Sequence, residues 1–262
     1  MEKFFIKNRF SQNISVILED NNNPQGLVFI MHGLGASKDE CYMERFAKAF
    51  REKNFIVVRF DNRHSIGESE GNYYDVNFSN TYEDLEDVIA WAKKEKWYKE
   101  PFVLVGHSLG AGCILWYSAN HPNEVAGLVP LSTAISGQQA LMRFRKSDLS
   151  LPAKMRQASL SFKVIKTLKW RQFRDDILKY NIIPEAPKFV MPFLMMVGDE
   201  DINTPLEDQR QLYDLVPEPK EIHIIKGAGH TFRSASHLDQ AEEILKKWID
   251  NTILSTKGGV NK

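Results

Sequence analysis

The chain has 262 residues, of which 43% are hydrophobic and 26% charged, with 34 Lys+Arg against 34 Asp+Glu. This is ordinary globular composition and excludes collagen-like, low-complexity and globally disordered classes. A zero net charge gives no global attraction to nucleic acid; Cys41 and Cys113 form no CxxC or Cys/His cluster, so no disulfide framework or structural zinc is expected and a reducing cytoplasm fits.

Phe4–Ile6 and Ile14–Leu18 read as a starting pair of strands. Lys7, Asn8 and Arg9 interrupt the apolar start too early for a signal-peptide core, and no run approaches the roughly 20 residues that span a bilayer. The expectation is a soluble, cytoplasmic protein without a targeting segment. Leu27–Met31 is a continuous apolar run ending at His32-Gly33. Glu40–Lys53 carries Met43, Phe46, Ala47 and Phe50 at helical steps, and Phe55–Phe60 is the next strand-like run. Asn80–Trp97 places Tyr82, Leu85, Val88, Ile89 and Trp91 on one helical face, with Thr81 and Asp84 at capping-box spacing. Phe102–Val105 leads into Gly106, and the small apolar residues of Ala111–Ala119 suit a helix buried against a sheet. Val125–Leu131 leads into Ser132, Pro192–Val197 into Gly198, and Ile222–Ile225 into Lys226-Gly227. Helical patterns at Leu206–Leu215 and Ala235–Ile253 complete the series. Unbroken apolar runs mark strands covered on both faces, and their alternation with helices implies a doubly wound, mostly parallel α/β sheet of eight strands.

No strand-like run occurs between Ser132 and Pro192, an interval too long for a structureless loop. Gly137–Tyr180 reads as two or three helices. Residues 134–187 are therefore expected to form a helical cap inserted into a core of residues 1–133 and 188–254, with a loose tail over 255–262. From Gln138 to Tyr180 there are 11 Lys/Arg against 3 Asp/Glu, so this stretch is +8 and the rest of the chain −8. Met155, Ala158, Phe162 and Ile165 fall at helical steps among Lys163, Lys166, Lys169, Arg171 and Arg174. That pattern suits a solvated basic face, or weak docking on anionic lipid and steering of acidic esters.

Gly106-His107-Ser108-Leu109-Gly110 sits between a strand and a helix. A serine there occupies a sharp bend that projects its hydroxyl above the sheet edge, at the positive end of the following helix. A hydroxyl attacks only when a base takes its proton. His230, in the turn Gly227-Ala-Gly-His230 after the last strand, can present an imidazole to the sheet top. His223 lies within a strand and His121 and His237 in or beside helices, where packing or solvent accounts for them. His107 is expected to point away from the site, and His64, on the loop Asp61–Gly71, is an outside candidate. The base needs a carboxylate to hold its tautomer. Gly198-Asp199-Glu200-Asp201 follows a strand, and Asp201 is preferred to Asp199 because the loop must extend before it turns toward His230. Developing negative charge needs N–H donors. Leu34, in His32-Gly33-Leu34-Gly35, and Leu109, just after the serine, are the natural pair. Neither GxxxxGK nor GxGxxG is present, which argues against a phosphate cradle.

In this order the four motifs resemble those of the α/β-hydrolase superfamily. His32–Gly35 is similar to its oxyanion loop, Gly106–Gly110 to its nucleophile elbow, Gly198–Asp201 to its acid loop and Gly227–His230 to its histidine turn. The nearest resemblance is to small esterases and lipases of the monoacylglycerol-lipase, feruloyl-esterase and serine-aminopeptidase-like group. The acid of that family usually stands three residues after the glycine, which supports Asp201. One stretch departs from the group. Asp61-Asn-Arg63-His-Ser-Ile-Gly67-Glu-Ser69-Glu-Gly71 resembles its D-x-R-G-x-G-x-S-x-G loop, but His64-Ser65-Ile66 replaces a glycine-led turn and adds a residue. The resemblance implies a serine hydrolase of carboxylic esters that acts on a small acyl substrate without cofactor or metal. A thioesterase, a peptidase or a non-catalytic binding scaffold could carry the same residues.

Overall fold

The computed structural model describes residues 1–150 and 169–255. One sheet contains β1 (Glu2–Lys7), β2 (Asn13–Glu19), β3 (Gly26–Met31), β4 (Phe55–Phe60), β5 (Phe102–His107), β6 (Val125–Leu131), β7 (Phe193–Gly198) and β8 (Lys220–Ile225), in the order β1-β2-β4-β3-β5-β6-β7-β8. β1 and β2 run antiparallel to each other, and β2 runs antiparallel to β4. From β4 to β8 every pair is parallel. The central strands match the apolar runs, because a strand between two helical layers must be apolar on both faces, whereas the edge strands β1 and β8 are partly exposed.

Side-chain alternation divides each central strand between two cores. Leu27, Phe29 and Met31 of β3, with Val58 and Phe60 of β4 and Leu104 of β5, face α2 (Phe78–Ala92) and α3 (Leu109–Asn120). Val28 and Ile30, with Val57, Val103 and Val105, face the other way, onto α1 (Cys41–Glu52). α1 answers with Met43, Phe46 and Phe50, all fully buried, each contributing roughly 1.5–3 kcal/mol.

The start of α2 differs from the expected one. Thr81 and Asp84 do not cap α2, which begins earlier, at Phe78, and ends at Ala92 rather than Trp97. Its capping box is Asn77 and Asn80. Asn80 N–H donates to Asn77 Oδ1 at 2.8 Å, and Asn77 N–H donates to Asn80 Oδ1 at 3.0 Å. Asp84 is instead buried against Arg63, whose N–H donates to it at 2.7 Å and whose Nε lies 3.2 Å away. Burial pushes the Asp84 carboxyl up to about 7, against the pull of Arg63. The last helix ends at Trp248 and gives way to a π-helical turn over Ile249–Leu254.

Between β6 and β7 the chain leaves the sheet through a narrow neck. Gly137 N–H donates to Tyr180 O at 3.0 Å, and Ile182 N–H to Ile135 O at 2.8 Å. Beyond the neck come α4 (Gly137–Ser150) and α5 (Trp170–Ile177). α5 buries Phe173 and Ile177 in the core, and its Asp176 accepts from Ser79 N–H of α2 at 2.8 Å. The pattern expected at Met155–Ile165, with Lys163 and Lys166, lies outside the described residues, as does the tail beyond Ser255. Lys169, Arg174 and Lys179 each have a carboxylate partner, in Asp75, Asp175 and Asp176. Among the described residues no helix is long and apolar enough to cross a membrane.

Candidate active site

Ser108 stands between the last residue of β5 and the first of α3, at φ 54° and ψ −112°. A non-glycine residue in the left-handed region costs on the order of 1 kcal/mol or more, so the surroundings must hold it. Ser108 N–H donates to Leu131 O at 2.9 Å, and Ser108 O accepts from Gly112 and Ala134 at 3.1 and 3.2 Å. Close approach explains the two flanking glycines. A Cβ on Gly110 would lie 2.4 Å from His32 O, and one on Gly106 would lie 2.7 Å from Gly110 O.

The three predicted side chains converge. His230 Nε2 is 3.0 Å from Ser108 Oγ, and His230 Nδ1 is 2.8 Å from Asp201 Oδ2. An ionised carboxylate only accepts, so Nδ1 carries the hydrogen and Nε2 is left to accept from the serine hydroxyl. Asp201 is buried and receives three further donors. Asn203 and Thr204 N–H reach Oδ1 at 2.9 and 3.0 Å, and Thr204 Oγ–H reaches Oδ2 at 2.7 Å. Burial alone would raise this carboxyl. His230 beside it and the Thr204 hydrogen bonds outweigh that effect and hold it at about 2. Asp199 is exposed and serves a different purpose, accepting from Gly227 N–H at 2.6 Å at the start of the histidine turn.

Leu34 and Leu109 both line a cavity of about 470 Å³ that also contains Ser108 and His230. Leu109 is the first residue of α3, so its N–H has no acceptor within the helix. The Leu34 loop is braced by His32, whose Nδ1–H donates to Gly33 O at 2.8 Å while Nε2 accepts from Asn62 N–H at 3.1 Å. Burial lowers the pKa of this imidazole, and the bond from Asn62 needs Nε2 unprotonated. Tyr42, Ala140, Phe173 and Ile177 supply apolar wall, while Glu40, Arg143 and Arg233 add charge. Arg143 is already engaged by Asp208, at 2.7 and 3.2 Å.

The loop Asp61–Gly71 is pinned to the Leu34 loop from below. Lys38 is buried, with Nζ 2.8 Å from Asp61 and 2.7 Å from Glu68. Burial works against its charge, but the hydrogen bonds to Asp61 and Glu68 push its pKa up to about 12. His64 occupies φ 61°, the conformation a glycine would take there at least cost. Its Nδ1 accepts from Asn72 N–H at 2.8 Å within its own loop, so the imidazole belongs to the loop rather than to the cavity. His223 pairs with Glu221 and His121 stacks on Tyr117. His107 departs from expectation. It is turned from the serine hydroxyl but not from the site, for its Nε2 lies 2.7 Å from His230 O. Thr204 was also missed, although a threonine three residues after an aspartate suits a turn closed by the aspartate side chain. Among the described residues no group of three or more His, Cys, Asp or Glu side chains could hold a metal ion.

An eight-stranded, mostly parallel sheet with flanking helices defines an α/β-hydrolase fold. The chain belongs to the serine aminopeptidase S33 family, whose pattern it matches over residues 22–172. Among solved structures it is similar to Est1E from Butyrivibrio proteoclasticus with bound ferulic acid, at TM-score 0.78 and 19% identity, covering 95% of this chain and 99% of that one. It is also similar to the Pyrococcus furiosus esterase PF2001, at TM-score 0.77 and 18% identity, covering 96% and 90%. The polyketide transferase grgF of Penicillium sp. is 23% identical, over 76% of this chain and 78% of that protein. At such identities the structural likeness is one of fold.

Proposed function

We propose that this protein is a serine hydrolase that cleaves carboxylic esters with an apolar acyl group through an acyl-enzyme. The observation that carries the reading is the unbroken chain from Asp201 Oδ2 through His230 to Ser108 Oγ, at 2.8 and 3.0 Å, opening on a cavity walled by Leu34, Tyr42, Phe173 and Ile177. His230 Nε2 takes the hydroxyl proton as Oγ bonds to the acyl carbon. Asp201 stabilises the imidazolium that forms, and the N–H groups of Leu34 and Leu109 receive the oxyanion. The imidazolium then returns the proton to the departing alcohol. Water, deprotonated by the same nitrogen, releases the acid and restores Ser108.

The Pyrococcus furiosus esterase and the ferulic-acid-bound Est1E agree with this reading. Ser108→Ala should retain the wild-type melting temperature and lose ester turnover by several decades. Wild-type protein should be labelled covalently by a fluorophosphonate and the variant should not. Labelling that persists in Ser108→Ala would reject the nucleophile. A wild-type protein that is neither labelled nor active on nitrophenyl esters of any chain length would favour a binding scaffold.

A further inference from the structure

Three strand-to-strand spacings separate the serine from its histidine in space. Ser108 follows β5 and His230 follows β8, with β6 and β7 between them. At ~4.8 Å per strand the histidine turn must reach back over roughly 14 Å of sheet edge. Ala228 anchors the middle of the turn, buried and accepting from Glu200 N–H at 3.0 Å, but the glycines beside it are unconfined. A Cβ on Gly229 would meet nothing within 4 Å, and Gly227 lies at φ 73°. Asp199 holds the near end of this turn, at Gly227 N–H. At the far end the backbone of His230 itself is tied by His107, the residue before the nucleophile, whose Nε2 is 2.7 Å from the carbonyl of His230.

A carbonyl can only accept, so His107 Nε2 carries the hydrogen. Its Nδ1 is then a bare lone pair, and it has no hydrogen-bond partner among the described residues. That nitrogen faces the Leu34 loop, 3.0 Å from where a Cβ on Gly33 would sit. The ring is 2% exposed and packs at 4.8 Å from both Tyr42 and the His230 ring. Burial first, and the neighbouring His230 second, push its pKa down to about 3, so the imidazole stays a neutral donor through the working pH range.

We propose that His107 is a positioning residue, a neutral latch whose Nε2–H ties the backbone of the base to the strand that carries the nucleophile and so sets the His230–Ser108 distance. The inference rests on the proposed role of His230 as base. Without the latch the imidazole keeps its side-chain partner Asp201 but loses its backbone registration. Misplacement by about 1 Å at a reacting centre can lower a rate on the order of 100-fold.

The test uses two buried amides of similar polarity and different reach. The glutamine amide nitrogen extends as far as a ring Nε2, whereas the asparagine nitrogen stops near the position of Nδ1. Rates of His107→Gln and His107→Asn should be normalised to active sites titrated with a fluorophosphonate, with melting temperatures in parallel. His107→Asn should lose about 10- to 100-fold in kcat with KM little changed. The other groups around His230 (Thr204, Glu40, Arg233 and His32) are the same in both variants. His107→Gln should recover to within a few-fold of wild type. Equal losses in both variants, or a His107→Asn protein with wild-type kcat, would overturn the latch. Failure of the serine-hydrolase reading is separable, since the wild-type protein would then not be labelled at all.

Discussion

Replacing Asp201 by asparagine changes one atom and should separate orientation from packing. Asp201 Oδ1 holds the N–H groups of Asn203 and Thr204, and an amide oxygen can do the same, so the loop should stay folded. Oδ2 accepts from both His230 Nδ1–H and Thr204 Oγ–H. An NH₂ group in its place can donate to the threonine, which can reverse its hydroxyl, but it cannot accept from the imidazole. His230 must then move its hydrogen to Nε2, which faces Ser108 Oγ and can no longer receive the hydroxyl proton. The charge that stabilises the imidazolium is removed in the same step. Together these should cost about 10⁴ in kcat, or ~5.5 kcal/mol of barrier. Asp199→Asn is the matched control. It keeps an acceptor for Gly227 N–H and should cost less than about tenfold. Steady-state turnover of a nitrophenyl ester, with circular dichroism for folding, reads both. A larger loss in Asp199→Asn, or an Asp201→Asn protein within tenfold of wild type, would refute the assignment.

Lys38→Met should destabilise the fold by about 3–5 kcal/mol in urea titration, because it strands the fully buried Asp61 carboxylate without its cation. The companion change Glu68→Gln, at a partly exposed partner, should cost far less. Acid should also weaken the protein through its buried histidines. His107 has a native pKa of about 3 against about 6.5 unfolded, so below pH 6.5 the unfolded chain binds a proton that the native state refuses. Stability is then lost as pH falls from 6.5 toward 3, at about 1.4 kcal/mol per pH unit for this group. Asp84, raised to about 7, has the opposite slope between its unfolded value and 7, so the wild-type curve alone is flattened. The difference between wild type and His107→Gln isolates the histidine, and parallel curves over pH 4–6 would contradict it.

What could be read in advance follows the range of the interactions involved. Runs such as Leu27–Met31 announce themselves because two helical layers demand apolar residues at every position. The convergence of Ser108, Asp201 and His230 is foreseeable because each lies on a short loop directly after a strand, where local motif and chain order carry the information. The cap of α2 was misread at Thr81 because Asn77 and Asn80 form the same reciprocal pair with an amide in place of an acid. The contact of His107 with His230 links residues far apart in the chain, and nothing local to Gly106–Gly110 marks it. His64, where the resembling loop has a glycine, stands at φ 61°, a backbone angle that favours glycine, and its Nδ1 accepts from Asn72 N–H, a contact that no local pattern announces.

The neck at Ile135–Gly137 and Tyr180–Ile182 has a bearing on how such a protein can change over time. Both ends of the excursion are tied to each other before the chain enters it, and β6, from which it springs, is held on one side by β5 and on the other by β7. Sequence gained or lost beyond the neck therefore alters what covers the cavity without transmitting a change of length to Ser108, Asp201 or His230. Closing a longer loop costs little, about 0.6 kcal/mol for each doubling. Lineages can in this way exchange the residues that line the cavity from beyond the neck while Ser108, Asp201 and His230 stay in register, so on the proposed function substrate preference is free to drift on a chemistry that stays put.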